Sequence, residues 1–200
     1  DIQDVGARFY TYISTLHYVM EAAAENNIPL IVLDRPNPNG HYVDGPILDT
    51  AYRSFVGMHP IPIVHGMTIS EYAQMINGEK WLKDSVECDL TIISMLKYNK
   101  QMQYDLPVKP SPNLPNAQAI NLYPSLCLFE GTNVSVGRGT DLPFQHFGAP
   151  YLDCDYFFIP KSGEGAKYPK HVGKKCFGKN LSQNTTLNQL DLSFLKYAYN

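Results

Sequence analysis

A chain of 200 residues that is 44% hydrophobic and 18% charged can bury a core and is not dominated by disorder. Its formal net charge of -3 supplies no basic face for nucleic acid. No apolar run approaches the ~20 residues of a membrane span.

The first predicted element is an amphipathic helix between residues 7 and 27, where Phe9, Ile13, Leu16, Val19, Met20 and Ala23 recur at helical spacing. Asn26 and Asn27 stop it. Residues 28–33 (IPLIVL) follow as a short apolar strand of the kind found in parallel sheets. A helix feeding such a strand is half of an α/β unit, and ligands in that architecture gather at the carboxyl ends of strands. At that end stands Asp34-Arg35-Pro36-Asn37-Pro38-Asn39-Gly40, a loop stiffened by two prolines. Asp34 and Arg35 are either site residues or a local ion pair that holds the loop. Asp1 and Asp4 are expected at the equivalent place of a preceding strand.

Residues 41–66 show no periodicity, and a loop this long is usually functional or else a misread element. His65 closes it, just before a helix predicted over 70–76 with Thr68 or Ser70 as its cap. Residues 89–96 (DLTIISML) read as a second strand. Pro107, Pro110, Pro112 and Pro115 exclude helix and central strand, so the domain boundary is placed there, giving domains 1–116 and 117–200.

The most informative stretch is 123–141, YPSLCLFEGTNVSVGRGTD. The run Leu126–Phe129 is expected to be a buried strand or a short buried helix. It delivers Glu130, and glycines at 131, 137 and 139 leave the backbone free to approach a ligand around Arg138. Glu130 and Arg138 are either site residues or a pair that bind each other on a solvated loop. Residues 143–150 read as aromatic turns, 156–159 as a strand, and the remainder as β hairpins and loops. The 14 tyrosines suit a polar-ligand or sugar surface. The four cysteines form no CxxC pair, which disfavours a zinc knuckle. Cys127 reads as a small buried hydrophobe, and Cys154 and Cys176 are a pair able to bridge in an oxidising compartment.

The segments DIQDVGARFYTY (1–12), VLDRPNPNG (32–40), DGPILD (44–49), SFVGMHPIP (54–62), HGMTISEYAQMIN (65–77), PSPNLP (110–115) and YPSLCLFEGTNVSVGRGTDLPF (123–144) resemble, in this order, the bacterial exo-acting β-N-acetylmuramidases. A weaker likeness continues through 167–171. The resemblance implies an α/β fold: a Rossmann-like parallel-sheet catalytic domain, present in part, followed by a smaller β-rich, barrel-like substrate-binding domain. It implies an exported, periplasmic or extracellular glycoside hydrolase that releases N-acetylmuramic acid from the non-reducing ends of peptidoglycan fragments. No cofactor is expected, since no GxGxxG opens a helix. The family's Pro-Glu-His-Gly segment, whose glutamate is a favoured catalytic residue, has no counterpart here, so the chain is expected to begin inside the first domain.

Glycoside hydrolysis uses two carboxyl groups. Glu130 is the catalytic candidate, and the absent glutamate would be its partner. Arg138 suits the lactyl carboxylate of muramic acid, because a guanidinium fork matches a carboxylate. Asn133, Asn113 and His65 are candidates for the acetamido group and ring hydroxyls. Asp34, Arg35, Gln3 and Asp4 would line the strand-end side. The alternatives are a non-catalytic muropeptide or sugar-binding module, a nucleotide-using enzyme, and a metal-dependent hydrolase built on Asp34, Asp44, His41 and His65.

Overall fold

Helix α1 (Tyr12–Glu25) turns Ile13, Leu16, His17 and Met20 to one buried face, at the i, i+3, i+4, i+7 spacing of an amphipathic helix. It starts five residues later than the periodicity predicts. The reason lies in the preceding backbone: Ala7 bridges Val64 and the Arg8 N–H donates to the Ile63 carbonyl, so this segment is extended. Val19, expected inside, is 43% exposed. Beyond the helix, Asn27 takes a left-handed conformation (φ 53°) that breaks the helical path.

Strand β1 (Leu30–Leu33) pairs in parallel with β2 (Leu90–Ile93), Leu30 opposite Leu90 and Leu33 opposite Ile93. Between them in sequence lies α2 (Ile69–Gly78). Thr68 caps it in a full capping box: the Thr68 hydroxyl accepts from the Glu71 N–H, and the Glu71 carboxylate accepts from the Thr68 N–H. Ile13, Leu16, Met20, Val32, Ile61, Tyr72 and Ile76 make one core, each large aliphatic contributing about 1.5–3 kcal/mol by burial. Val32 alone of β1 is buried. Ile31 and Leu33 face outward, so among the described residues this sheet is covered on one side.

The structure is a computed structural model that describes residues 2–199, and it divides into two compact units, Asp1–Tyr104 and Asp105–Asn200. The second begins with α3 (Ala117–Leu126), capped by the Asn116 side chain on the Ala119 N–H. Pro124 sits inside this helix and removes a donor. Three residues later the chain tightens into a 3₁₀ turn, Cys127–Gly131. The run Leu126–Phe129 is therefore the end of a helix and the start of a turn.

Three strands follow: β3 (His146–Ala149), β4 (Phe157–Phe158) and β5 (Cys176–Asn180), antiparallel in the order β3-β5-β4. Helix α4 (Ser193–Tyr199) occupies a stretch expected to be hairpin and loop. Leu122, Leu126, Phe129, Phe144 and Phe147 are buried, with the rings of Phe129 and Phe147 stacked at 5.0 Å. All four cysteines are free. Cys154 and Cys176 do not bridge, because the Cys154 thiol lies 2.7 Å from the Tyr197 hydroxyl and Cys176 is buried in β5. The molecule is thus a mixed α/β protein with one parallel and one antiparallel sheet, as expected.

Candidate functional site

At the carboxyl end of β1 the first unit gathers most of the polar residues expected there. The Gln3 amide donates to the Asp4 and Pro36 carbonyls (2.7 and 2.9 Å). Asp4 is 4% exposed; its Oδ2 accepts from the Gly6 N–H (2.7 Å) and lies 3.3 Å from His65 Nε2. His65 Nδ1 accepts from the Met67 N–H, which places a ring proton on Nε2, facing the acid. That approach is off the hydrogen-bond line, and Asp4 Oδ1 is buried without a partner. Gly6 is required beside this pair: at φ +79° an added Cβ would lie 2.4 Å from the Asn37 side chain.

Asp34 is committed elsewhere. Its oxygens accept from the Thr68 hydroxyl and the Ser70 N–H, so it caps the N-terminus of α2, where a carboxylate is favoured by the helix dipole. Arg35 is half-buried on the same loop. Asn37 fastens that loop by donating to the Met67 carbonyl, and the Tyr98 hydroxyl bonds its backbone.

In the second unit Arg138 grips Glu130: Nε and Nη2 lie 2.9 and 2.7 Å from Oε1, and the Cys127 thiol donates to Oε2 at 3.2 Å. The two side chains thus pair with each other. Both side chains nevertheless remain 35% exposed. The pair uses two of the five N–H donors that a guanidinium carries, and the Arg138 guanidinium lies over the Phe144 ring at 4.9 Å. Cys127 is partly exposed rather than a buried hydrophobe; desolvation, then the Glu130 charge, pushes its thiol pKa up.

The backbone around Glu130 is held from far along the chain. Lys170 Nζ donates to the carbonyls of Phe129, Glu130 and Thr132 at 2.6–3.0 Å, supplying a cation to a turn end that lacks donors. His171 Nε2 lies 2.6 Å from the Asn133 carbonyl, and the Asn133 residue is exposed. Asn113 is 6% exposed and holds the Gly165 carbonyl at 2.8 Å. Lys170 gave no local signal; its place in the 167–171 segment was the available hint.

Sequence reasoning also missed a buried chain behind His65. The Tyr72 hydroxyl lies 2.8 Å from His59 Nδ1, His59 Nε2 lies 3.0 Å from His17 Nδ1, and His17 Nε2 faces Glu21 at 3.5 Å. Desolvation, reinforced by His17 and Arg53, lowers the His59 pKa to about 3. Both imidazoles being neutral, the protons run from Tyr72 through His59 and His17 toward Glu21. Tyr72 packs edge-on against His65 at 5.5 Å and so backs the Asp4–His65 pair. Arg8 is also buried, donating to the Pro46 and Ile61 carbonyls. Among the described residues, no three His, Cys, Asp or Glu side chains gather closely enough to hold a metal ion.

A two-unit α/β protein of this fold is already represented among solved structures. A DUF1343 family protein from Bacteroides fragilis NCTC 9343 is 55% identical, with a TM-score of 0.97 over 100% of this chain and 58% of that one. A second DUF1343 family protein from the same organism is 30% identical, with a TM-score of 0.80 over 94% of this chain and 54% of that one. The family model "Exo-beta-N-acetylmuramidase NamZ, N-terminal" matches residues 1–118, and its C-terminal counterpart matches residues 121–199. The chain belongs to the exo-β-N-acetylmuramidase NamZ family. A curated relative, the peptidoglycan beta-N-acetylmuramidase NamZ of Bacillus subtilis (strain 168), is 53% identical over 157 residues. That match covers 76% of this chain and 37% of the relative, so the chain spans little more than a third of that protein's length.

Proposed function

We propose that this chain is part of a peptidoglycan-degrading glycoside hydrolase that releases N-acetylmuramic acid from the non-reducing ends of glycan fragments. The observation that carries the reading is the match of both halves of the chain, residues 1–118 and 121–199, to the two parts of one muramidase family. The geometry supplies chemistry in keeping with it. Glu130 is a carboxylate on a turn anchored by Lys170, partly open to solvent, and serves as one of the two carboxyl groups that glycoside hydrolysis employs. Arg138 retains N–H donors beyond those given to Glu130 and takes the lactyl carboxylate of the sugar. The second carboxyl group is assigned to the glutamate of the family's Pro-Glu-His-Gly segment, which these 200 residues do not contain.

The remaining features follow from the substrate. Peptidoglycan lies outside the cytoplasm, so the working place is periplasmic or extracellular, and the liberated sugar serves cell-wall recycling. The parallel pair β1–β2 with its helices is read as part of a Rossmann-like sheet used as scaffold, and no cofactor is assigned. The test uses the full-length protein on glycan chains ending in muramic acid, with products followed by mass spectrometry. Release of single N-acetylmuramic acid units is expected, and Arg138→Lys should raise KM by roughly tenfold or more through loss of the fork. Internal cleavage of the chains, or no release at all, contradicts the reading.

A further inference from the structure

The turn Cys127–Gly131 is a 3₁₀ turn, and at three residues per turn the side chains at i and i+3 lie one above the other. Cys127 is thereby brought under Glu130, and its thiol donates to Glu130 Oε2 at 3.2 Å. A continued α-helix would have swung the two side chains about 60° apart. Tyr123, buried four residues earlier on α3, hydrogen-bonds the same sulfur with its hydroxyl. The phenol is the donor there, because Cys127 has one proton and gives it to Glu130. Desolvation, then the Glu130 charge, keeps the thiol in its protonated, donating form. The protons therefore run one way, from Tyr123 to Cys127 to Glu130. Tyr123 is itself set edge-on against Phe144 at 5.0 Å, the ring under the Arg138 guanidinium.

The two oxygens of Glu130 are treated unequally. Oε1 takes both Nε and Nη2 of Arg138, two charge-assisted bonds that occupy it. Oε2 takes one S–H, a weak donor. A thiol at this place sets where Oε2 points and leaves the second lone pair of that oxygen to another group. The carboxylate is thus held from both sides and still open on one oxygen, on a side chain that is 35% exposed.

We propose that Cys127 is a positioning residue of the hydrolysis, with Tyr123 acting through it. The thiol orients Glu130 so that Oε2 meets the substrate while Oε1 stays with Arg138. The part played in catalysis rests on the muramidase reading above; the thiol–carboxylate contact rests on the turn geometry alone.

Steady-state kinetics of the full-length protein on a chromogenic muramic acid glycoside test it, with thermal unfolding confirming the fold of each variant. Cys127→Ala should lower kcat roughly tenfold and change KM by less than about twofold, since the groups that bind the sugar stay in place. Cys127→Ser restores a donor and should return kcat to within about threefold of wild type. Tyr123→Phe should lower kcat about threefold alone and add nothing to Cys127→Ala, because its effect passes through the sulfur. Wild-type kcat in Cys127→Ala, no rescue by serine, or additive losses in the double variant overturn the proposal. A second measurement needs no substrate: alkylation of Cys127 by iodoacetamide, read by peptide mass spectrometry. It should quicken several-fold in Glu130→Gln, where the carboxylate that keeps the proton on sulfur is gone. An unchanged rate means the contact is not made, and it overturns the proposal as well. Wild-type protein that releases no N-acetylmuramic acid removes the muramidase reading, and the catalytic part of Cys127 with it, while the alkylation result stands by itself.

Discussion

Asp4 with His65 in the first unit and Glu130 with Arg138 in the second are both acid–base pairs, yet their surroundings differ sharply. The first pair is 5% and 1% exposed in its side chains; the second is 35% exposed on each side. The buried pair meets at 3.3 Å off the hydrogen-bond line and leaves an acid oxygen unpartnered. The open pair brings two guanidinium nitrogens within 2.9 Å of one oxygen. Burial makes the loss of one partner expensive in the first case, whereas exposure makes the second pair nearly neutral for stability. Stability thus accounts for neither the good geometry of Glu130–Arg138 nor the poor geometry of Asp4–His65. The open pair leaves both side chains within reach of solvent, and the buried pair lies enclosed among the strand-end loops.

The largest expected consequence of this contrast is at Asp4. Asp4→Ala strips the Gly6 N–H of its acceptor and His65 of the acid that faces it, and should cost about 3–5 kcal/mol. Trp81, the single tryptophan, lies in the first unit and reports its unfolding in urea by fluorescence. A loss under ~1 kcal/mol would show that the pair is not a buried constraint.

Acid comes next, and its sign is fixed by lowered histidine pKa values. His59 and His146 stay neutral in the fold down to about 3 and about 4, while the unfolded chain takes up protons near ~6.5. Their contribution is complete above ~6.5 and is lost as pH falls through that value toward about 4 for His146 and about 3 for His59. By pH ~5 each should have given up about 2 kcal/mol. Because one histidine lies in each unit, urea midpoints at neutral and mildly acid pH should fall in both units together; a midpoint that holds steady would contradict the burial of these rings.

Two smaller effects sharpen the comparison. Tyr72→Phe leaves His59 Nδ1 without its donor and should cost about 1–3 kcal/mol, since the unmet acceptor is buried. Lys170→Met removes the cation from the carbonyls behind Glu130 and should cost about 1–2 kcal/mol, with a rise in amide exchange confined to residues 129–134. Unchanged exchange there would mean the turn holds itself.

How much of this the sequence revealed follows from the range of each interaction. The period of Ile69, Tyr72, Ala73 and Ile76 and the Thr68 cap are local, so α2 was readable, as were the apolar β-branched strands β1 and β2. Helix α3 was hidden by the proline run before it and by Pro124 within it, and β3 by Gly148 and the prolines at 143 and 150. The Glu130–Arg138 pair, eight residues apart, was legible as one of two readings. Asp4 and His65 were each suspected, but not as partners, because 61 positions separate them. Lys170 and Tyr98 act over comparable distances and leave no local pattern.

The most direct measurement is Glu130→Gln in the full-length protein, assayed on a chromogenic muramic acid glycoside alongside thermal unfolding. A fall in kcat of roughly a hundredfold or more is expected, with stability changed by less than about 1 kcal/mol. Turnover at the wild-type rate, or a loss of activity that merely follows a loss of fold, would contradict it.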